Sequence, residues 1–258
     1  MKIAYIGIDL FLPALKELIN CGCEVLEIFT CKTDNLTEFN TGIINIAQEK
    51  NIRYTLERIT IADFERLKKI NCQAVICAGY YYKIPVFKDI PTINIHPTLL
   101  PYGRGSWPMP YDILNERKEG GVSIHKVVDG FDEGDILMQE GFGISANETH
   151  KTLMEKVYDK LSYMLPELIE NFFYYYNNAI PQQEGLYLPE PDENMYTILP
   201  TMNVKTADKI LRAFYGYMCY YKYDDTKYAL LKARAVKCLD DCNHKTKFPL
   251  SDGYIITD

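Results

Sequence analysis

Asn94 and His96 stand two residues apart in the run TINIHPTLLPYGRG, and Asp132 stands in a second run, DGFDEGD. Histidine is scarce, with four in the chain, so its place at the end of a strand-like segment draws notice. In a β-strand, side chains two apart share a face, so Asn94 and His96 point the same way. An imidazole held by a carboxylate keeps one tautomer and shuttles a proton near neutral pH. A carboxamide beside it donates to an oxygen that gains negative charge. Together Asn94, His96 and Asp132 suit acyl-group transfer without a covalent nucleophile, since no serine or cysteine joins them. Taken singly, each residue also reads as ordinary structure: a packed histidine, an Asx turn, an asparagine tying down a loop.

The elements around them must bring 94–96 and 132 together. Apolar, β-branched runs at 2–8, 23–30, 73–79 and 92–96 read as buried strands. Helical spacing recurs at 12–22, 41–50 and 60–70, with Thr60 as an N-cap for the last. This alternation predicts an α/β fold with a doubly wound, mostly parallel sheet, in which ligands sit beyond the carboxyl ends of the strands. A helix is expected near 108–119, then strands at 120–128 and 135–144. A long helix over 149–178 follows, capped by Thr149 and kinked at Pro166. Pro181, Pro189, Pro191 and Pro200 mark an extended connection over 182–200. The tail holds one more helix, KTADKILRAF, and two Tyr-rich strands joined by a hairpin turn at YDDTKY. The expected division is a catalytic domain over 1–185 and a small β-containing subdomain over 186–258.

Composition sets bounds on function. The chain has 258 residues, 47% hydrophobic and 24% charged, with a formal charge of −7. An acidic chain argues against nucleic acid as a partner. Eight cysteines show no repeated C-x-x-C, and Cys21 and Cys23 form a C-x-C too tight for an ordinary bridge. They read as reduced, small apolar residues of a cytoplasmic protein with no metal site. Asp9, Pro13, Lys16 and Glu17 interrupt the apolar N-terminus, so neither a signal peptide nor a membrane span is expected.

The two runs NIHPTLLPYGRG and GVSIHKVVDGFDEGDILMQ resemble the folate-dependent formyltransferase family. Asn94, His96, Pro97, Leu99, Leu100, Pro101, Arg104 and Gly105 match its Asn-x-His-Pro motif, with Thr98 in place of the usual serine. Gly130, Asp132, Gly134 and Asp135 match its acidic loop. The resemblance implies that Asn94, His96 and Asp132 are catalytic and that 10-formyltetrahydrofolate is the formyl donor. It also implies that the pterin is read by main-chain groups of Tyr82, Ile84, Val128 and Asp132, and that the Leu100–Pro101 peptide is cis.

Methionyl-tRNA members of that family carry a larger, basic C-terminal domain, and glycinamide ribonucleotide members end soon after the catalytic domain. A short Tyr-rich tail after a Pro-rich connection is most similar to the nucleotide-linked sugar N-formyltransferases. The resemblance therefore implies a dTDP-linked amino-dideoxyhexose as acceptor, with the 3-amino sugar first and the 4-amino sugar second, for surface polysaccharide synthesis. Lys83 and Arg104 are candidate cations for the diphosphate, each equally readable as a plain surface residue. Trp107, the single tryptophan, either stacks on the substrate or packs as a lid. Tyr217, Tyr220, Tyr221, Tyr223 and Tyr228 in the tail suggest a homodimer interface. Two competing readings are a formyltetrahydrofolate hydrolase and a non-enzymatic nucleotide-binding regulator.

Overall fold

The computed structural model describes residues 1–237 and 246–257. Cys238 and Cys242 lie outside the described residues; the other six cysteines are free thiols. The chain divides into two units. The first comprises Met1–Ser106, Gly121–Phe142 and Glu155–Tyr187; the second comprises Trp107–Gly120, Gly143–Met154 and Leu188–Asp258.

The first unit is built on a sheet of seven strands. Its strands are β1 (Lys2–Gly7), β2 (Glu24–Phe29), β3 (Arg53–Thr55), β4 (Ala74–Ala78), β5 (Thr92–His96), β7 (Glu119–Lys126) and β8 (Ile136–Gly143). A short β6 (Tyr102–Arg104) lies apart and pairs with β9 (Leu186–Tyr187). The order in the large sheet is β3-β2-β1-β4-β5-β7-β8. Each pairing from β3 to β5 is parallel, and β7 runs antiparallel to β5. The doubly wound, mostly parallel α/β sheet expected from the alternation is therefore present.

All five residues of β4 are buried, as a parallel strand covered on both faces requires. On one side, Ala4, Ile6, Val75 and Cys77 pack with Phe64 and Leu67 of α3 (Ile61–Lys69). Asp63 closes the start of α3 by accepting from the Thr60 N–H (2.9 Å) and hydroxyl (2.7 Å). The amphipathic helices α1 (Leu12–Asn20) and α2 (Thr41–Glu49) bury Leu15, Leu18 and Ile43. The Asp9 carboxylate accepts from the N–H groups of Gly42 (2.8 Å) and Ile43 (2.9 Å), satisfying orphan donors of α2 from a distant part of the chain. Asp9→Ala is expected to cost about 1 kcal/mol of stability, the usual worth of a helix cap. It would be read as a lower urea midpoint at unchanged slope. An unchanged midpoint would show that water replaces the carboxylate at no cost.

The long helix is divided in two. α5 (His150–Glu170) continues past Pro166, and the interruption comes at Asn171, before α6 (Phe172–Asn177). The short β3 was not apparent in the sequence, because three residues carry too little periodicity.

In the second unit, α4 (Met109–Leu114) is shorter than the predicted helix, and α7 (Val204–Ala213) falls where the tail helix was expected. Strands β10 (Thr197–Ile198), β11 (Cys219–Tyr223) and β12 (Thr226–Leu230) form one small sheet, with β11 and β12 as the expected hairpin. A further sheet of β13 (Ala233–Val236), β15 (Gly253–Thr257) and β14 (Thr246–Leu250) gives the hairpin its core. Tyr221 is buried, with its ring 4.9 Å from Phe248 and its hydroxyl donating to Pro249 O at 2.7 Å. Tyr223 and Tyr228 stay exposed.

Candidate active site

The site lies in the first unit, where β5 and β7 run side by side. Their register pairs Asn94 with His125 and His96 with Ser123. All four side chains share one face of the sheet, since each pair is two apart along its strand. Ile95, on the other face, is buried and anchors β5.

Ser123 shapes the chain that leaves β5. Its hydroxyl donates to Thr98 O (2.6 Å) and accepts from the Leu100 N–H (3.1 Å) and from Gln139 Nε2 (2.7 Å). The Leu100–Pro101 peptide is cis, as the motif implied. The chain then returns through β6, so that Gly103 O meets His96 Nε2 at 2.7 Å. A carbonyl only accepts, so Nε2 carries the proton. The neutral ring therefore keeps its lone pair on Nδ1, which lies 3.7 Å from Asp132 Oδ1.

Asp132 arrives on the loop between β7 and β8 with φ of 53°. Aspartate tolerates this left-handed conformation better than most residues. Gly134 permits the loop to lie close to β7, because a Cβ there would stand 1.9 Å from Lys126 O. The carboxylate is well partnered. Oδ2 accepts from the Gly105 N–H at 2.9 Å, and Oδ1 accepts from Asn94 Nδ2 at 3.3 Å. His125 Nε2 is also 3.3 Å from Oδ1.

His125 is the residue that sequence reasoning missed. Its Nδ1 lies 2.8 Å from Lys126 O and so carries a proton, leaving Nε2 to accept from Asn94 Nδ2 at 3.2 Å. The Asn94 amide thus spends its two hydrogens on His125 and Asp132. The available signal was period-two spacing with Ser123 in the run GVSIHK; the register that sets it opposite Asn94 was not legible.

Electrostatics follow burial. Burial pushes the His96 imidazole below its usual range; Asp132 acts in the opposite direction but does not overcome it. Burial alone would raise Asp132, but His96, His125 and the Gly105 N–H around it hold the carboxyl well below its ordinary range. The contributions of the two histidines require protonated rings, which the hydrogen-bonding arrangement of the neutral rings does not supply. The Gly105 and Asn94 donors persist in any state of the ring, so the direction for Asp132 stands. The resting arrangement is an ionised Asp132 facing a neutral His96.

The remaining expected residues fall as follows. Ile84 is buried, and Tyr82 lies under Arg58 with the guanidinium 4.1 Å from its ring centre. Among the described residues, the main chains of Tyr82, Ile84 and Val128 form no backbone hydrogen bond outside regular elements, and none of the three lies in one. Lys83 is exposed and pairs with Asp129 at 2.7 Å. Arg104 is buried, and its guanidinium donates to Gln182 Oε1 and Gln183 O, which departs from the plain surface residue that was one of its two readings. Trp107 lies in the second unit, half-buried against Phe214 (5.4 Å) and Tyr217 (4.5 Å), and its Nε1 donates to His150 Nε2 at 3.3 Å. Among the described residues, no group of three or more His, Cys, Asp or Glu is placed to hold a metal ion, and no helix is long and apolar enough to cross a membrane.

Methionyl-tRNA formyltransferase from Ehrlichia ruminantium strain Gardel is 35% identical over 125 residues, covering 47% of this chain and 40% of that protein. The chain thus spans well under two thirds of that relative's length. Among solved structures, a variant of HypX from Aquifex aeolicus superposes with a TM-score of 0.77 at 17% identity, over 99% of this chain and 45% of that one. An N-formyltransferase from Helicobacter canadensis, in complex with folinic acid and dTDP-3-aminofucose, superposes with a TM-score of 0.66 at 17% identity, over 99% of this chain and 97% of that one. Likenesses at this identity speak for the fold. The formyl transferase family model matches residues 36–169, just over half of the chain and the stretch that contains Asn94, His96, His125 and Asp132. This chain belongs to the formyl transferase family.

Proposed function

We propose that the protein moves a formyl group from a 10-formyl folate to the primary amine of a nucleoside-diphosphate-linked amino sugar. The observation that carries the reaction class is the convergence of Asn94, His96 and Asp132 around the Nδ1 edge of a neutral imidazole. A bound formyl folate supplies an electrophilic carbonyl carbon. The unpaired main-chain edges of Tyr82, Ile84 and Val128 fit a flat heterocycle rich in donors and acceptors.

His96 Nδ1 takes the proton that the amine sheds as its nitrogen bonds to the formyl carbon. The ring becomes an imidazolium, and the ionised Asp132 stabilises it. The hydrogen bonds from Asn94 Nδ2 are long, at 3.2 and 3.3 Å, so an oxygen gaining charge replaces either at little cost. His96 then returns the proton to the departing folate nitrogen as the old C–N bond breaks.

A formal charge of −7 favours a small anionic acceptor over a polynucleotide, whose binding scales with phosphates neutralised. The Helicobacter canadensis protein, of similar length and fold, is in complex with a dTDP-3-amino sugar. Lys83 is the candidate cation for the diphosphate, exchanging Asp129 for phosphate oxygen.

The test is a turnover screen with 10-formyltetrahydrofolate and, in separate reactions, dTDP-3-amino and dTDP-4-amino dideoxyhexoses, methionyl-tRNA, and no acceptor. Formylation of the 3-amino sugar is expected. Formylation of the 4-amino sugar would move the amine, and that of methionyl-tRNA would replace the acceptor class. Folate release without an acceptor would make the protein a hydrolase.

A further inference from the structure

Before β9, the chain of the first unit crosses the site, and one side chain there uses every polar atom it has. Gln182 Nε2 donates to Asp132 O at 2.9 Å and to Gly134 O at 2.6 Å. Its Oε1 accepts from Arg104 Nε at 3.2 Å and Arg104 Nη2 at 2.9 Å. Two donors and one acceptor are thus all engaged, on two different loops.

These bonds close a circuit. Gln182 holds the backbone at Asp132, the Asp132 side chain accepts from the Gly105 N–H, and Gly105 follows Arg104, which returns to Gln182. His96 is attached to the same loop through Gly103 O. The segment carrying Gln182 is itself fixed at both ends. Ile180 exchanges two backbone hydrogen bonds of 2.8 Å with Ile136, and Tyr187 donates to Phe131 O at 3.2 Å. Between them Gly185 lies so close to the cis-proline turn that a Cβ would stand 2.3 Å from Pro101 O. The Arg104 guanidinium also lies 5.6 Å from the centre of the Tyr187 ring.

We infer that Gln182 is a positioning residue: it locks the left-handed Asp132 loop and the Gly103–Gly105 turn into one rigid frame that sets the carboxylate against His96. Asp132 needs such a frame, because its conformation is one that an unrestrained loop leaves readily. The inference rests on the proposed formyl transfer for its kinetic readout, and on the histidine ring alone for its second readout.

Two variants separate the contacts. Gln182→Met has similar length and removes the donors and the acceptor. Gln182→Glu keeps the acceptor for Arg104 and removes both donors to the loop. Both are expected to lower kcat by roughly 10–100-fold, the usual effect of an ångström-scale misplacement, with KM for donor and acceptor nearly unchanged. In Gln182→Met the His96 ring, followed by NMR, is expected to titrate at lower pH than in wild type, because the carboxylate that raises it has moved away. The NMR titration needs no turnover, so it decides the inference even if no acceptor is formylated. Wild-type kcat in Gln182→Glu with loss only in Gln182→Met would overturn the inference in favour of the Arg104 contact. A lowered melting temperature with unchanged kcat and unchanged His96 titration would overturn it in favour of a purely structural glutamine.

Discussion

Replacing His96 by alanine is expected to lower kcat/KM for formyl transfer by about 10⁴-fold, the upper end for a general base, because the ring also stabilises the developing oxyanion once protonated. Among the described residues, the geometry leaves no nearby substitute. His125 has Nδ1 committed to Lys126 O and Nε2 to Asn94, and Asp132 is a weak base that stays ionised. The wild-type pH profile carries the same information. Burial lowers the His96 pKa, so in the folded enzyme the ring takes up its proton at a pH below the ordinary 6.5. The unprotonated, base-competent form thus persists below pH 6.5, and the step that His96 contributes to the pH profile of kcat/KM is expected there, below the step set by protonation of the acceptor amine itself. The lower step should vanish from the residual activity of His96→Ala. A loss of only a few-fold would mean that another group moves the proton.

The alternation of strands and helices made the doubly wound, mostly parallel sheet legible, and the strand-end position of His96 followed from it. What remained hidden was pairing. Nothing in the run GVSIHK states that it lies antiparallel beside TINIH, so His125 could not be set against Asn94. Register comes from contacts far apart in the chain, which local spacing does not encode. Arg104 illustrates a second limit. Its residue type left a diphosphate cation and a plain surface residue equally open, and its burial depends on the chain 78 residues later, which folds back to supply Gln182 as its acceptor. The tail shows a third. Pro249 breaks the strand-like appearance of TKFPL, yet the residue belongs to β14, an edge strand where a missing N–H costs little. That strand provides Phe248, against which Tyr221 and Tyr228 pack. Pro166 is a fourth case, since α5 absorbs it without ending. An interior proline removes a helix hydrogen bond, and burial of Val157, Leu161, Met164, Leu165 and Leu168 offsets that loss.

Asp132→Asn separates the carboxylate's charge from its shape. The two oxygens of Asp132 accept from separate donors, Oδ2 from Gly105 and Oδ1 from Asn94. An asparagine has one oxygen to offer, so one of these donors faces an NH2 group. The cost of that mismatch is roughly 1–3 kcal/mol of stability, readable as a lowered melting temperature of a protein that still folds. The larger effect is on rate. Without the negative charge, the imidazolium formed at His96 is uncompensated in a buried site, and kcat is expected to fall by roughly 10²–10³-fold. The direction of the pH shift is fixed by sign. Asp132 raises the His96 pKa, so removing its charge leaves burial unopposed and moves the ring further down. The His96 ring, followed by NMR, is then expected to titrate at lower pH even as kcat drops. A base that becomes available over a wider pH range while the enzyme slows is the signature of a carboxylate that stabilises the protonated ring. If the ring instead titrated at higher pH, or if kcat changed by less than a few-fold, Asp132 would be a loop anchor whose proximity to His96 has no part in the chemistry.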